Sequence, residues 1–552
     1  VKGGGYWTRH CGKVGFFAEN DKGEVIKMKM KKMLVVLPVS TLFIGALAGC
    51  GGESDKVSQS ASPAASTSSS PPVTLTVEVF DRGIQGQPDL NNNTWTRYIN
   101  DNFGKQNNAI VKFVAVPRSQ EIDKLNVLMA AGEAPDVSFT YDSATVSRYA
   151  KVNGIVQLND LLAKHGKELT NYLGKTVLSY GLFDGKQMAI PAKRTSLAWN
   201  GMFIRKDWLD KLGMPVPTTR DELYNTLVAF RDKNPGGVDG VIPWGLAATG
   251  LNYNYGNLGE SFWGKESEEQ FVTAPYSWLR PGNKDAMRFL NKLYNEKLIS
   301  PDFALDKTAK QADADLTNGK IGFFSANWDY PLRQNISQPL KANVPTANYV
   351  PIDVFQNNEG KYKKIAYNEN GVNVIIPKSS KNAELAIKYL NWMADPKNLF
   401  FLQYGQEGVN HKMVNGIPQV INQTGDNMQT SYLNLDYTLV VNGVELGDPE
   451  KNIKALAASA PGYEEVAEQS YKISTTDTYT SFFFDTPNES NIKFGKTLGD
   501  MNKLMTDKLI VCKPSEFDAL YDKLVAEYLA AGAQAVTDEN VKIYKAMQAS
   551  KK

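Results

Sequence analysis

Three histidines (His10, His165, His411) and three cysteines (Cys11, Cys50, Cys512) are all the imidazole and thiol chemistry that these 552 residues carry. That is too little for a histidine-rich metal centre or a histidine-dependent nucleophilic triad. Cys50 and Cys512 suggest no disulfide framework. No stretch resembles the paired carboxylates of a glycosidase. Abundant instead are aromatic rings, with 25 Tyr, 24 Phe and nine Trp, set among Asp, Asn and Arg. Two polar sets fall where strand-like runs end: Asp81 and Arg82 after VTLTVEVF, and Tyr141 and Asp142 after DVSFT. Ligands on α/β sheets sit beyond the carboxyl ends of the strands, so these four residues are candidates for contact rather than for bond making.

The elements that must position them follow from periodicity. VTLTVEVF (73–80) and AIVKFVAVP (109–117) alternate and are rich in β-branched residues, as strands are. WTRYINDNFG reads as a helix ending at Gly104, and EIDKLNVLMAAGEAPDVSFTYD continues as helix, turn and strand. Such alternation predicts an α/β lobe with a largely parallel sheet. Further on, Thr219 and Glu222 form a capping box ahead of Leu223, Leu227 and Phe230 on one helical face. In GVNVIIPKSSKNAELAIKYLNWMADP a strand and turn precede a helix. Asn382 is its expected cap, Glu384 suits its positive end, and Ala383, Ala386, Ile387, Leu390 and Met393 form its buried stripe. Trp208 and Trp392 share helical spacing with apolar residues and read as core. The last stretch is a run of amphipathic helices.

Eight Lys/Arg and three Asp/Glu precede Cys50, so beyond it acidic residues outnumber basic ones among the totals of 59 and 61. No basic stripe remains, which argues against nucleic acid as a partner. From Met28, MKMKKMLVVLPVSTLFIGALAGC has a lysine-rich start and an apolar run of about 15 residues, the make-up of a signal peptide. Leu47-Ala48-Gly49-Cys50 resembles a bacterial lipobox, which makes Cys50 the expected lipid attachment site and residues 28–49 the cleaved leader. Residues 1–27 fit no targeting logic and read as translated upstream sequence, with initiation at Met28 or Met30. The Gly-, Ser- and Pro-rich stretch to residue 72 reads as a flexible tether.

AAGEAPDV (130–137), DGKQMAIPAKRTSLAWNGMFIRKDWLDKLGMPVPTTRDEL (184–223), NGKIGFFSANW (318–328), GVNVIIPKSSKNAELAIKYLNWMADP (371–396) and GQEGV (405–409) together carry a resemblance. In that order they resemble the extracellular solute-binding lipoproteins of ABC importers, of the large oligosaccharide-binding type found in Gram-positive bacteria. The resemblance implies a two-lobed, periplasmic-binding-protein-like α/β fold with a multi-strand hinge and a helical C-terminal region. It implies a first lobe at 73–194, a second at 195–327, a return to the first at 328–410, and a mostly helical region at 411–552 shared by both. Crossings are expected near Pro191–Ser196 and Ser325–Tyr330.

A non-catalytic receptor follows from that likeness. It would act as a monomer, lipid-anchored at the outer face of the cell membrane, and hand an oligosaccharide to the permease subunits. The other readings are a sensor lipoprotein that signals to a membrane kinase and a secreted carbohydrate-active enzyme. Sugars present apolar ring faces and a rim of hydroxyls, so a sugar site pairs flat aromatics with Asp, Asn and Arg. Trp328, flanked by Asn327 and Asp329, is the foremost stacking candidate, at the position where the family places an aromatic. Trp199 and Asn200 lie past the first crossing. Trp244, Trp263 and Tyr255, with Asn252 and Tyr253, border a Gly- and Tyr-rich loop. Some relatives carry a calcium loop where this chain has DKNPGGVDGVIP. Here Asp232, Asn234 and Asp239 offer oxygens but the twelfth position is Pro243 rather than Glu, so no metal or other cofactor is expected.

Overall fold

The structure is a computed structural model. It describes residues 6–10, 13–19 and 25–27, and then 71–550 apart from 84–85, 248–257, 264–271, 358, 430–436 and 485. Val1–Ser69 and Ser70–Lys552 form separate compact units. In the first, Tyr6–His10, Lys13–Glu19 and Val25–Lys27 make a three-stranded antiparallel sheet, an element not foreseen for residues read as upstream sequence. The leader, Cys50 and most of the tether lie outside the described residues.

The second unit begins with Val73–Asp81, whose Leu75, Val77 and Val79 are fully buried. This strand pairs in parallel with Ala109–Pro117 along its whole length. On its other side Val77 bridges in parallel to Val137, just ahead of the Ser138–Thr140 strand. Up to this point the sheet is parallel. The next strand, Asn370–Ile375, runs antiparallel to both Ser138–Thr140 and Ile190–Arg194, and Val441–Asn442 then pairs in parallel with the latter. The first-lobe sheet is therefore mixed, which corrects the largely parallel expectation. The cause is connectivity: Asn370–Ile375 enters from the edge where its neighbours end, so it must point the other way.

One carboxylate ties this lobe together. Asp136 accepts from the Thr76 backbone and hydroxyl (both 2.9 Å), from Ser380 Oγ (2.6 Å) and from Asn382 Nδ2 (3.2 Å). Burial pushes its carboxyl up, but the bonds from Ser380, Thr76 and Asn382 outweigh that and hold it below the ordinary range. Asn382 stands at the start of the Ala383–Met393 helix without capping it. Its amide instead reaches Asp136 and the Thr74 carbonyl.

The second lobe holds a four-stranded sheet ordered Ile242–Trp244, Ile321–Asn327, Asn200–Arg205, Tyr349–Ile352, parallel in its first pair and antiparallel after it. The Arg220–Lys233 helix carries the expected Thr219–Glu222 capping box and buries Leu223, Leu227 and Phe230 against this sheet, beside fully buried Trp208. A return at Ser325–Tyr330 is not what the strands do. After Asn327 the chain continues through Gln334–Asn343 to Tyr349–Ile352, which pairs with Asn200–Arg205 in the same lobe. The crossing back runs through 367–369, immediately ahead of Asn370–Ile375. Residues 328–366 thus belong with the second lobe, because the segment after the strand folds back over its own sheet.

The third crossing follows Asn442. It leads through Pro449–Ala458 and Glu464–Thr475, which pack with Ala198, Trp328, Leu332 and Tyr404 in a separate core. Glu489–Val511, Phe517–Tyr528 and Gln534–Ser550 then close the second lobe through Leu498, Met505, Leu509 and Tyr521. Among the described residues no helix is long and apolar enough to cross a membrane.

Glu78 is the exception in the first core. It is 1 % exposed, its Oε2 accepts from Phe139 N (3.1 Å), and its Oε1 has no hydrogen-bond partner among the described residues. Burial, reinforced by nearby Glu121 and only partly opposed by the Phe139 bond, pushes its carboxyl up to about 8. The unfolded chain releases this proton in the ordinary carboxylate range near 4.5. Stability therefore falls as pH rises between those two values and levels off above the higher one. Melting Glu78→Gln beside the parent chain across that window is expected to show a gap widening in the variant's favour with pH; parallel curves would contradict it.

Candidate ligand-binding cleft

In both lobes the carboxyl ends of parallel strands lie on the edge where the crossings enter and leave, and that edge is where α/β sheets take ligands. On the first lobe it presents a stacked wall. The Arg118 guanidinium lies 4.8 Å from the centres of both the Phe80 and the Tyr141 rings, and Arg82 stands 5.9 Å from Phe80. Buried Glu121 fixes the arrangement: it pairs with Arg118 (2.6 Å) and accepts from Tyr141 N and Thr140 Oγ1 (both 2.8 Å). Tyr141 keeps 38 % of its surface exposed, and its hydroxyl accepts from Asn442 Nδ2 (2.9 Å). Arg82, Tyr141 and Asn442 line a small recess here.

The two acidic candidates have structural work. Asp81 accepts from Gly83 N and Gln87 Nε2 and shapes the turn after its strand. Asp142 caps the Ser143–Lys151 helix, accepting from Ala144 N, Thr145 N and Thr145 Oγ1.

The crossings themselves form the floor. Arg194 lies 4.1 Å above the Tyr367 ring, and Tyr367 stacks on Trp199 at 4.6 Å with 11° between the planes. Backbone bonds lace the segments: Arg194 N to Glu369 O (2.7 Å), Tyr367 N to Leu197 O (3.0 Å) and Thr195 N to Asn442 O (3.1 Å). Gly443 sits against this knot at φ +123, where an added Cβ would lie 2.3 Å from Thr195 Oγ1. Both the left-handed backbone and the space require glycine there.

From the floor a cavity of about 490 Å³ opens into the second lobe. Trp199, Asn200 and Trp263, all candidates from the sequence, converge on it. It also takes in residues that sequence reasoning missed, among them Tyr276, Trp278, Arg280, Tyr479 and Phe482. The aromatic run YTSFFF within a helical tail was the signal for the last two. Arg280 stacks 4.3 Å over Trp263, whose buried Nε1 has no acceptor among the described residues. Trp278 Nε1 is held by Asn502 Oδ1 (2.7 Å). Glu260 is the carboxylate of this lining, and its Oε2 accepts from Ile365 N (3.2 Å).

Two candidates lie elsewhere. Trp244 is fully buried in the second core, edge-on to Phe323 at 5.1 Å, because its side chain joins the helix residues Leu223, Leu227 and Phe230 that cover the sheet. Trp328 is 7 % exposed and packs edge-on to Tyr471 at 5.2 Å, with its carbonyl accepting from Ser470 Oγ (2.7 Å). It wedges behind the hinge and offers no open ring face. Its neighbours do reach the cleft edge. With its amide oriented as its surroundings demand, Asn327 donates to Trp199 O (2.9 Å) and accepts from Arg333 (3.1 Å), while Arg333 also pairs with Asp329 (2.9 Å). Asn252, Tyr253 and Tyr255 lie outside the described residues. At the degenerate calcium loop, Arg231 binds Asp232 (2.7 Å) and the Asn234 amide closes on Val238. No cluster of three His, Cys, Asp or Glu suited to a metal occurs among the described residues.

The fold agrees with the comparisons. Residues 88–399 match the family model described as bacterial extracellular solute-binding protein, and the chain belongs to that family. Lipoprotein LipO of Bacillus subtilis (strain 168) is 27% identical over 412 residues, 71% of this chain and 76% of that protein. The polygalacturonan/rhamnogalacturonan-binding protein YtcQ of the same organism is 24% identical over 463 residues, 80% and 86% of the two chains. The crystal structure of the alginate-binding protein AlgQ2 without calcium ion superposes with a TM-score of 0.65 at 18% identity, covering 86% of this chain and 99% of that one. This structural likeness places the fold.

Two substitutions separate packing from contact. Trp244→Ala is expected to cost about 3–5 kcal/mol of unfolding free energy, the range for a large buried aromatic, read from denaturant melts. Gly443→Ala is expected to lower stability by roughly 1–3 kcal/mol from forced backbone strain; an unchanged midpoint would show that the third crossing can relax.

Proposed function

We propose that the chain is an extracellular receptor that captures an oligosaccharide between its lobes and delivers it to an ABC permease, held to the membrane by acyl chains on Cys50. The observation that carries this reading is the 490 Å³ cavity, where Trp199, Trp263 and Tyr276 supply flat faces and Asn200, Asn283 and Asn502 supply amides. Rings match the apolar faces of sugars, and amides match their hydroxyls. The volume falls in the range of ligand pockets. YtcQ and AlgQ2 are named for binding polysaccharides, which supports the same class of ligand here. Arg82 and Tyr141 on the opposite wall would meet the ligand as the lobes close, so that occupancy favours the closed state through contacts to both.

The reading is of binding without turnover. Glycoside hydrolysis needs two carboxylates facing each other across the bond, whereas Glu260 is the sole carboxylate among the described residues lining the cavity.

Melting temperature measured against increasing oligosaccharide is the direct test. A ligand at one hundred times its Kd adds about 2.7 kcal/mol to native stability. Trp263→Ala should keep the unliganded melting point close to that of the parent and weaken binding about tenfold, since one stacked ring is worth about 0.5–1.5 kcal/mol. A panel in which peptides raise the melting point and saccharides do not would overturn the assignment.

A further inference from the structure

A second hollow, of about 240 Å³, lies on the same edge of the second lobe. Gly245, Leu246 and Ala247 follow directly on the Ile242–Trp244 strand, and Asn327 ends its parallel neighbour Ile321–Asn327. The two walls of the lobe differ in chemistry. Where the larger cavity is lined by rings and amides, this one is walled by Gly245, Ala247, Ala309, Ala312 and Ala326. Buried Leu316, Ile321 and Phe324 close it. Its polar groups are buried Ser325 and the less buried Asp313, Asn327, Tyr330 and Arg333, of which Asn327 and Arg333 also belong to the hinge-side network.

Three features mark a shaped socket. Ala309 holds φ +59, a left-handed conformation that residues other than Gly, Asn and Asp seldom adopt, and such strain persists where surrounding structure enforces it. Burial pushes the Asp313 carboxyl up despite the hydrogen bond it accepts from the Tyr330 hydroxyl, as expected beside a dry surface. The small side chains offer depth, and of the two rings present Phe324 is buried against Phe203 and Tyr349 while Arg333 lies over Tyr330, so a sugar finds no open platform like Trp263. An aliphatic appendage on a sugar fits instead.

We propose that this hollow is a subsite for a methyl-bearing sugar unit, either a 6-deoxyhexose or an N-acetylhexosamine, within the captured oligosaccharide; the proposal rests on the saccharide reading above. The methyl group packs against Ala312 and Ala326, and the ring hydroxyls face Asn327 and Arg333. Replacing CH₃ by CH₂OH or H at this point removes the apolar contact and leaves the socket empty or hydrated. A difference of one such carbon in an apolar pocket changes affinity by about tenfold or more.

Titration calorimetry of the full chain with matched tetrasaccharides decides it. One pair ends in a 6-deoxyhexose or in its parent hexose, CH₃ against CH₂OH; the other ends in an N-acetyl- or an N-formylhexosamine, CH₃ against H. In at least one pair the methyl-bearing member is expected to bind about tenfold tighter. Ala312→Leu, which fills the socket from a helix that tolerates leucine, should abolish that advantage, so that the two members of the pair bind alike. Ala326→Val gives the same readout should the first variant fold poorly. Equal affinities within both pairs, or an advantage that survives both substitutions, would overturn the subsite while the saccharide reading stands. No binding of any of the four would count against the saccharide reading and take the subsite with it.

Discussion

The stack of Arg194 on Tyr367 on Trp199 is the contact from which the rest of the cleft is positioned. Its members come from two different crossings, and a third crossing is laced to them through Thr195 and Asn442. Among the described residues the lobes share no continuous sheet, so these segments decide how one carboxyl edge faces the other. Tyr141 is reached from here through Asn442, which lies opposite Arg194 in the sheet. Trp199 then leads directly into the large cavity of the second lobe. A change in the angle between lobes must pass through this knot, because the strands on either side are locked by their ladders. Hinge closure of this kind depends on a few residues at element ends that absorb the rotation.

The division of labour around that knot is chemical. The first-lobe wall is a cation–aromatic sandwich, rigid because buried Glu121 fixes both Arg118 and the Tyr141 backbone. The second-lobe side is concave and neutral in character, with one hollow of rings and amides and another of alanines. A flat charged wall facing a sculpted one suits a ligand that is identified on one side and clamped from the other. Trp328 contributes from behind: its ring fills the third core, and its backbone N–H holds the Trp199 carbonyl at 2.9 Å.

Much of the scaffold was legible in the residues, and the motifs that made it so have a common physical role. AAGEAPDV contains Asp136, PKSSKNAELA contains Ser380 and Asn382, and these residues close on one another to bind the first strand. They mark the fold because they hold it together, and they touch no part of the cleft. The Thr219–Glu222 box was equally plain, since capping is a local event written within four residues. The site was harder. Trp199, Asn200 and Trp263 line one cavity, but Trp244 and Trp328 occupy cores, and a tryptophan near a strand end reads the same whichever way its ring turns. The cavity joins residues near 200, 260–283, 365, 479–502 and 528–540, and no local period records that juxtaposition. The mixed sheet escaped notice for a similar reason, because strand direction depends on where the chain comes from.

The Asn370–Ile375 strand has a consequence in time as well as space. It sits at the middle of the first-lobe sheet, between Ser138–Thr140 and Ile190–Arg194, yet it comes only after residues 195–369, which build most of another lobe. A chain emerging from its N-terminus therefore makes the two halves of this sheet long before the strand that joins them. Until it arrives, both halves keep an open edge, and closing them means bringing together segments far apart in sequence, which is slow. The first lobe, though begun first, cannot close its sheet until most of the second lobe has been made.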